Sequence, residues 1–394
     1  MARGSLTSSR RMVSSSSAHQ RFLHSRFFGG LDGLRCLSIV AVVLHHAASS
    51  HHGVFVRFNQ GVSLFFAISG FLITTLLLRE RDSRGDISLT GFYARRSLRI
   101  FPLYYAVLGL YTLLVVFLEK DVQARMDFLH NLPAFLTYTS NWFVSLEGRV
   151  IFYFAWSLAT EEQFYLLWPP VMRYARAAGA LAFMSGVLAL SLLAPLAVRA
   201  GYIDTHVLWG RILTSFHPSI SMGCLAALVA HSSRGFAWLY RVLGQAWSAP
   251  LALLLVAGAF FWDSTPKALF SLLFTALVVA TCIRPDHVLM PVLGLSWVRY
   301  VGTVSYGVYL LHMLVFNLVR RAMPRPFTSL LESSLGSGMV VFVNFVLGLG
   351  VSVLLAGLSH RYFESRFLAW KEHFDWRTKP SPAEPVVSSS NSPA

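Results

Sequence analysis

Two ionisable residues in the first apolar segment, LDGLRCLSIVAVVLHH, have the types and spacing for proton-transfer chemistry. Arg35 and His46 are eleven residues apart, so at about 100° per residue they lie on nearly one helix face, separated by roughly 16 Å. Asp32 falls close to that face, whereas His45 points about 80° away from it. A neutral imidazole is suited to take a hydroxyl proton, which makes His46 a candidate general base. The alternative is a histidine that only forms a hydrogen bond where the segment ends.

A cluster of three arginines, Arg95, Arg96 and Arg99 in FYARRSLRIFPLYY, offers chemistry of a second kind. Helical spacing places Arg95 and Arg96 each beside Arg99. Guanidinium groups hold phosphates through charge-assisted, often bidentate hydrogen bonds, so the cluster is suited to a phosphate-bearing cosubstrate. Positive residues that only anchor a helix on the cytosolic side of a membrane explain the same cluster.

Adjacent carboxylates, Glu161 and Glu162, lie about one turn into the apolar segment AWSLATEEQFYLLWPP. Carboxylates in such a segment need partners or water. One of them can orient His46, because a carboxylate partner raises the basicity of an imidazole. An ion pair that locks the helices together, for example with Arg35, is the alternative.

Two further segments, FFAISGFLI and SYGVYLLH, carry small and polar residues that can line a cavity. Ser69 and Gly70 form a small-residue pair that permits close helix contact. In the second segment polar residues recur at helical intervals of four and three, which makes one polar stripe. Such a stripe is equally usual in a transporter. The candidate cavity-lining residues are Asp32, Ser69, Glu162, Ser305, Tyr306, Tyr309 and His312.

The segments that position these residues are apolar almost from end to end. Of the 394 residues, 55% are hydrophobic and 13% charged, which is too apolar for an ordinary soluble domain. A bilayer core needs about 20 apolar residues per helix, and the sequence therefore predicts an all-α integral membrane protein, a polytopic bundle of about ten transmembrane helices. The predicted spans are 34–50, 61–78, 100–118, 155–172, 179–198, 212–230, 249–262, 267–283, 301–319 and 338–358.

The positive charges predict the orientation of the bundle. The net charge of +15 comes from short clusters between apolar segments, which favours cytosolic loops beside anionic lipid over nucleic-acid binding. With the basic N-terminal tail inside, the loops at 79–99, 173–176, 234–241 and 284–299 and both termini are predicted to be cytosolic. The connection with Arg320, Arg321 and Arg325 breaks this rule. Either its charge has a functional reason or the count of spans is wrong there.

Three stretches outside the spans, and the cysteines, complete the domain prediction. Residues 1–26 are predicted to be a basic disordered cytosolic tail, 27–371 the membrane domain and 372–394 a disordered C-terminal tail. The aromatic-rich stretch 119–154 is either a lipid-anchoring loop or a lid over an acceptor groove. The three cysteines are scattered, and the histidines near His46 share no spacing with a carboxylate or cysteine, so neither a disulfide framework nor a metal site is predicted.

The motifs LDGLRCLSIVAVVLHH, GVSLFFAISGFLI, FYARRSLRIFPLYY, WSLATEEQFYLLWP and SYGVYLLH together resemble, in order, those of the type 3 membrane acyltransferases. The resemblance spans nearly the whole membrane domain and implies acyl-CoA as donor. It makes Arg35 and His46 the arginine and histidine of the first-helix motif, with His46 the catalytic base. It also makes Arg96 and Arg99 the RxxR element of the acyl-CoA site and Glu161 the acidic position of the WSLxxE motif.

The sequence departs from this family at two places. Many members have an acidic residue at the position of Ser63, and a histidine just before the WSL motif, where this chain has Phe154 and Ala155. These differences concern the acceptor side rather than the reaction. No segment resembles the extra C-terminal hydrolase-like domain of some members, so the chain resembles the stand-alone type.

The resemblance implies an O-acyltransferase of the cell (inner) membrane. It would move an acyl group, most often acetyl, from acetyl-CoA or another acyl-CoA to a hydroxyl of a glycan or lipid-linked saccharide, without a metal. Membrane lipids are the other expected partners. No cysteine is placed to carry the acyl group, although Ser69 or His46 could. A transporter or flippase that uses intramembrane Glu, His and Arg, and a non-catalytic sensor or scaffold, are the alternatives.

Overall fold

Helices make up all of the regular secondary structure in this computed structural model, which describes residues 15–25, 27–48, 54–323 and 336–374. The prediction of an all-α fold is confirmed for these residues. In chain order the helices are α1 Ser15–His24, α2 Gly29–Ala47, α3 Gly61–Arg84, α4 Leu89–Leu118, α5 Val122–Leu136, α6 Ser140–Phe143, α7 Ala155–Tyr174, α8 Ala177–Arg199, α9 Leu208–Thr214, α10 Pro218–His231, α11 Ser233–Leu243, α12 Ser248–Phe261, α13 Lys267–Ile283, α14 Met290–Leu293, α15 Ser296–Thr303, α16 Ser305–Ala322, α17 Ser337–Ser359 and α18 Ser365–Lys371. Single turns of tighter or wider helix cover Val54–Gln60, His360–Glu364 and Glu372–Phe374.

Each of the ten predicted spans overlaps a helix, but fewer than ten helices pass a test of length and apolar composition. In the described ranges five helices are long and apolar enough to cross a bilayer, or up to eight if each of three bent pairs is one span. The bent pairs are α9 with α10, α11 with α12, and α15 with α16, at 44°, 67° and 73°. Of the other two predicted spans, α7 contains Glu161, Glu162 and Arg173, and α13 has only 17 residues. The chain is therefore a multi-pass membrane protein, and the count of ten stays a prediction.

Small residues bring α3 and α10 into close contact, as the pair Ser69 and Gly70 predicts. A Cβ on Gly70 would lie 2.2 Å from the carbonyl oxygen of Ile220. In the same interface, a Cβ on Gly223 would lie 2.5 Å from the carbonyl oxygen of Ala67. Both positions therefore require glycine, and the two helices pack backbone against backbone.

Charged loops meet at one end of the bundle, where α3 ends and α4 begins; we call it the basic end. Arg79, near the end of α3, donates hydrogen bonds to the carbonyls of Phe22 in α1 and of Ser25, which follows α1. Arg173, at the end of α7, pairs with Asp86 at 2.7 Å. The loops that the charge pattern places on one side of the membrane thus lie together.

The opposite end is where α2 ends, and we call it the histidine end because His45 and His46 lie there. Arg57 and Asp263 form an ion pair at this end between the turn Val54–Gln60 and the connection after α12. Arg149 pairs there with Glu119, which follows α4, at 2.7 Å. Since α2 runs from one end to the other, residues at its two ends serve different parts of the molecule.

The N-terminal tail is not disordered throughout, so the prediction for residues 1–26 is wrong for residues 15–24. These residues form α1, and Ala18, His19 and Phe22 are buried. The ring of Phe22 lies 5.5 Å from that of Phe236 on α11. The short helix α1 packs one apolar face against α11. The serine-rich composition of the tail gives no indication of this packing. Residues 1–14, and residues 375–394 of the predicted C-terminal tail, lie outside the described ranges.

The orientation of α4 in the membrane can be tested with reporters fused on either side of it. A reporter fused after Arg84 is expected to be cytosolic and one fused near Asp127 external, because α4 separates the two positions and positive charge collects before it. Paired phosphatase and fluorescent-protein fusions measure both positions. A cytosolic reading at Asp127 would reverse the orientation.

Candidate active site

His46 lies in the last turn of α2, at the histidine end, among aromatic and imidazole rings. Its Nδ1 atom is 3.0 Å from the hydroxyl oxygen of Tyr153. The ring of His312 on α16 lies 4.9 Å from the His46 ring, centroid to centroid. His45 points elsewhere, since its Nδ1 atom is 3.1 Å from the carbonyl oxygen of Phe55. Two histidines from distant parts of the sequence therefore meet here, and His45 instead contacts the turn that follows α2.

His312 is fully buried beside His46, and its own hydrogen bonds fix which nitrogen carries the proton. Its Nδ1 atom is 2.5 Å from the carbonyl oxygen of Tyr309. A carbonyl only accepts, so Nδ1 donates, and Nε2 is the acceptor atom of the neutral ring. Nε2 is buried and has no hydrogen-bond partner among the described residues. A buried acceptor of this kind is available to a ligand or a water molecule.

The predicted polar stripe on α16 has three different local roles. Ser305 donates to the carbonyl of Gly302 at 2.8 Å, at the bend between α15 and α16. The Tyr309 hydroxyl lies 2.5 Å from Ser157 Oγ and donates to the Phe154 carbonyl at 3.1 Å. Of the stripe, His312 contacts the His46 ring directly, and the Tyr309 ring lies 5.6 Å from that of His312. Phe154, where many family members have a histidine, packs 5.6 Å from His312.

Glu161 lies in the interior on α7, bonded to neither His46 nor Arg35. Its carboxylate accepts hydrogen bonds from the hydroxyls of Ser69 and Tyr165. The guanidinium carbon of Arg96 lies 4.7 Å from the centre of the Tyr165 ring. Ser69 is thus a partner of Glu161 as well as part of the helix contact. The ion pair considered for Glu161 and Arg35 is not present, because Arg35 pairs with Asp32 on its own helix at 2.6 Å.

Glu162 is half-buried, like Glu161, but it has different neighbours. It interacts electrostatically with Tyr138 and Tyr306 as well as with Glu161 and Arg96. This places a second carboxylate between the aromatic groups of α4 to α7 and α16. The two carboxylates and Arg96 form one charged group in an apolar bundle.

A cavity of about 330 Å³ opens at the basic end, and two cations, Arg99 and Lys371, line it together with Glu364. Arg99 is exposed there, and it lies close enough to Arg35, Arg96 and Asp32 to interact electrostatically with them. Tyr306 contributes its ring, and its hydroxyl donates to the Ile100 carbonyl at 2.9 Å. The basic-end cavity is lined by Arg99, Thr303, Tyr306, His360, Glu364, Leu368 and Lys371.

Arg95 differs from its two neighbours in the arginine cluster. It pairs with Glu80 at 3.0 Å, and Glu80 is only 1% exposed. Its other nitrogen donates to the Phe374 carbonyl at 2.6 Å. Arg95 therefore joins α3, α4 and the C-terminal segment, whereas Arg99 faces the basic-end cavity.

A second cavity, of about 460 Å³, opens at the histidine end next to Tyr153. The stretch 119–154 forms much of its wall after folding into α5, α6 and a loop. The aromatics Phe135, Tyr138 and Phe152 are almost fully buried in protein, which favours the groove interpretation over a lipid anchor. The histidine-end cavity is lined by Tyr111, Leu146, Gly148, Arg149, Val150, Ile151, Phe152, Tyr153, Phe154, Met313, Asn317 and Arg320.

Sequence reasoning missed four residues of these sites: Tyr153, Arg320, His360 and Lys371. Arg320 did carry a signal, because its connection breaks the positive-inside rule. His360 and Lys371 follow the last predicted span, where positive-inside anchoring of a cytosolic terminus explains them equally well. Nothing in the sequence distinguishes Tyr153 from the aromatics around it. Of the histidines near His46 in the sequence, His51 and His52 lie outside the described residues.

Comparison with known proteins gives the family. The family model described as an acyltransferase domain matches residues 28–358. "Peptidoglycan O-acetyltransferase OatA" of Listeria monocytogenes is 26% identical, over 90% of this chain and 60% of the relative. "Putative peptidoglycan O-acetyltransferase YrhL" of Bacillus subtilis is 29% identical, over 86% of this chain and 55% of the relative.

A third relative, a "Putative O-acetyltransferase" of Staphylococcus aureus, is 24% identical over 88% of this chain and 58% of its own length. The chain thus spans 55–60% of the length of these three relatives. No solved structure matches it. The match over 28–358 contains all five motifs, from the first-helix segment to SYGVYLLH, and confirms the resemblance. The chain belongs to the type 3 membrane acyltransferase family.

Proposed function

We propose that this chain is an O-acyltransferase that moves an acyl group, most often acetyl, from acyl-CoA to a hydroxyl of a glycan acceptor. One observation carries the proposal: a cavity that contains Arg99 and Lys371 and a pair of histidines lie at opposite ends of the same helices. Arg35 and His46 are separated by roughly 16 Å along α2. A donor with its phosphates at one end and its thioester on a long flexible arm suits that separation.

The donor end is the basic end. Arg99, with His360 and Lys371 in the same cavity wall, offers positive charge and hydrogen-bond donors to the phosphates of acyl-CoA. Arg96 lies beside it and over Tyr165. Glu364 also lines the cavity, so the site is not uniformly positive. With the basic end cytosolic, the donor enters from the compartment in which acyl-CoA is made.

The base is His46, and Tyr153 positions it. The Tyr153 hydroxyl has the Met313 sulfur, 3.9 Å away, as an acceptor. Its oxygen then accepts the Nδ1 proton of His46, which leaves a lone pair on Nε2. Nε2 takes the proton of the acceptor hydroxyl while that oxygen bonds to the thioester carbon and the carbon–sulfur bond breaks. The imidazolium returns this proton to the leaving thiolate, which restores the neutral base.

The acceptor is proposed to enter at the histidine end, which faces away from the cytosol if the basic end is inside. The printed names of two relatives specify peptidoglycan for those proteins, and a glycan is the acceptor class proposed for this chain. The inner membrane is the proposed location. Family membership supports the enzyme over a transporter or a scaffold.

Transfer of label tests this proposal. Purified protein in lipid vesicles is given acetyl-CoA labelled in the acetyl group together with soluble glycan fragments. Label is expected to appear on the glycan as a base-labile ester, and not in vesicles made with His46→Ala. Absence of transfer to all glycans, combined with movement of a solute across the vesicle membrane, would favour the transporter.

Donor binding is the next prediction. Arg96→Ala combined with Arg99→Ala is expected to raise the dissociation constant for acyl-CoA about 10- to 100-fold for each lost charge-assisted contact. Protein yield and folding should change far less. Titration of acyl-CoA against the purified protein measures the affinity.

The matched control for donor binding removes two arginines from the exposed face of α11, Arg234→Ala with Arg241→Ala. It lowers the net charge equally but leaves the basic-end cavity intact. Unchanged donor affinity in the Arg96 and Arg99 variant would mean that these arginines only anchor the helix.

A further inference from the structure

Arg320 is a cation at the end of the bundle where the charge pattern predicts few. It lies in the last turn of α16 and is exposed at the histidine end. Loops that face away from the cytosol are depleted of arginine, because positive residues hold loops inside. A cation in this position therefore needs a reason other than orientation.

The described residues that bond to Arg320 are neutral. Its Nε and Nη2 atoms donate to the Phe316 carbonyl and the Asn317 side-chain oxygen, both at 3.3 Å and both neutral. No carboxylate of the described ranges lies within ion-pair distance of it. Arg149, in the wall of the same cavity, has an anionic partner. Its hydrogen bonds lower the pKa of Glu119 to about 2, so both side chains are ionised and their charges offset each other.

Arg320 also lies beside the proposed base. Met313, Asn317 and Arg320 follow one another at helical intervals on the wall of the histidine-end cavity. Tyr153 lines the same cavity and bonds to His46. Arg320 is near enough to His46 and Tyr153 to interact electrostatically with both. A molecule in the cavity would thus meet the Arg320 guanidinium together with Tyr153, whose hydroxyl joins the cavity wall to the imidazole of His46.

We infer that the histidine-end cavity selects acceptors that carry an acidic group, a carboxylate or a phosphate, bound by Arg320. This inference rests on the proposed function and specifies its acceptor. A guanidinium binds either group through two parallel hydrogen bonds, which would orient the acceptor hydroxyl toward His46. The acidic group would also offset the positive field of Arg320, which otherwise disfavours the imidazolium formed during transfer. Acidic acceptors therefore gain in both binding and turnover.

Matched acceptors test the inference. One is an oligosaccharide with a single hexuronic acid, the second is the same oligosaccharide with its carboxyl converted to an amide, and the third is a neutral sugar on a polyprenyl phosphate. Both transfer and direct binding are measured for the parent protein, Arg320→Gln, Arg320→Lys and the neighbouring Arg321→Gln. Arg321 is exposed and does not line the cavity, so it controls for the loss of one charge.

Arg320→Gln is expected to lower kcat/KM and affinity for an acidic acceptor about 10- to 100-fold. The amide should lose neither affinity nor rate, and its kcat should rise, because the positive field that disfavours the imidazolium is removed. Arg320→Lys should retain part of the preference, and Arg321→Gln all of it. A loss confined to the hexuronic acid assigns the group to a carboxylate, and one confined to the lipid-linked sugar assigns it to a phosphate.

Equal losses on the acidic and amide acceptors, or no loss on any, would overturn the inference while transfer by the parent upholds the proposed function. If the parent transfers to no acceptor, the proposed function fails. In that case the binding measurements still decide whether Arg320 prefers an acid.

Discussion

Replacing His46 with alanine is expected to lower acyl-transfer turnover about 10²- to 10⁴-fold, the contribution of a positioned general base. The loss should appear in kcat, because the donor contacts lie at the other end of α2. Assembly in the membrane should be retained, since the side chain of His46 is only half-buried and does not belong to the buried core. Initial rates with purified, monodisperse protein measure this effect.

His45→Ala is the matched control because it removes the same side chain from the adjacent position. It breaks a hydrogen bond to the Phe55 carbonyl, which costs about 1 kcal/mol of stability, and should largely spare turnover. If His46→Ala kept near-parent transfer rates while His45→Ala lost them, the assignment of His46 as the base would be wrong. A comparable loss only on replacing His312 would move the base to that ring, whose Nε2 atom is also available.

The sequence predicts the features that depend on one helix. Apolar length locates the spans, and helical periodicity separates His45 from His46 and places the small pair Ser69 and Gly70 on a contact face. Charge alternation groups the arginine-rich loops, which the structure brings together at the basic end. Each of these follows from the geometry of a single helix or from the membrane as solvent.

Helical periodicity cannot predict which residues of different helices contact one another. The apolar segment around Glu161 and Glu162 predicts that a carboxylate there needs a partner, and His46 and Arg35 were both candidates. In the structure the partners of Glu161 are the hydroxyls of Ser69 and Tyr165. Tyr153 could not be predicted for the same reason, since its role depends on a hydrogen bond to His46 on α2. In an apolar bundle several pairings satisfy the same carboxylate, and the packing of backbones decides among them.

Arg95 shows how adjacent residues of one cluster diverge. Arg95 and Arg96 differ by about 100° around α4, so one faces Glu80 and the other Tyr165. The sequence predicts a single phosphate site formed by all three arginines. Burial of Glu80 at 1% exposure gives Arg95 a partner that it shares with neither Arg96 nor Arg99.

Arg95→Ala is therefore expected to destabilise the protein by about 3–5 kcal/mol, the cost of leaving one partner of a buried pair uncompensated. Glu80 would keep only the backbone N–H of Ser88, at 3.2 Å, among its described hydrogen bonds. Thermal unfolding of the detergent-solubilised protein, followed by light scattering and intrinsic fluorescence, measures the change. Replacing both partners, Arg95→Leu with Glu80→Leu, should recover much of the loss because no charge is then left buried.

Arg173→Ala is the control for this prediction, since it removes an arginine from the exposed pair with Asp86. Those side chains are 32% and 58% exposed, and surface pairs contribute about 0–1 kcal/mol. If Arg95→Ala left stability at the level of this control and instead weakened acyl-CoA binding, Arg95 would belong to the donor site with Arg96 and Arg99. If it destabilises the fold while the folded fraction binds donor normally, Arg95 holds α3 to α4 and takes no part in the donor site proposed for Arg96 and Arg99.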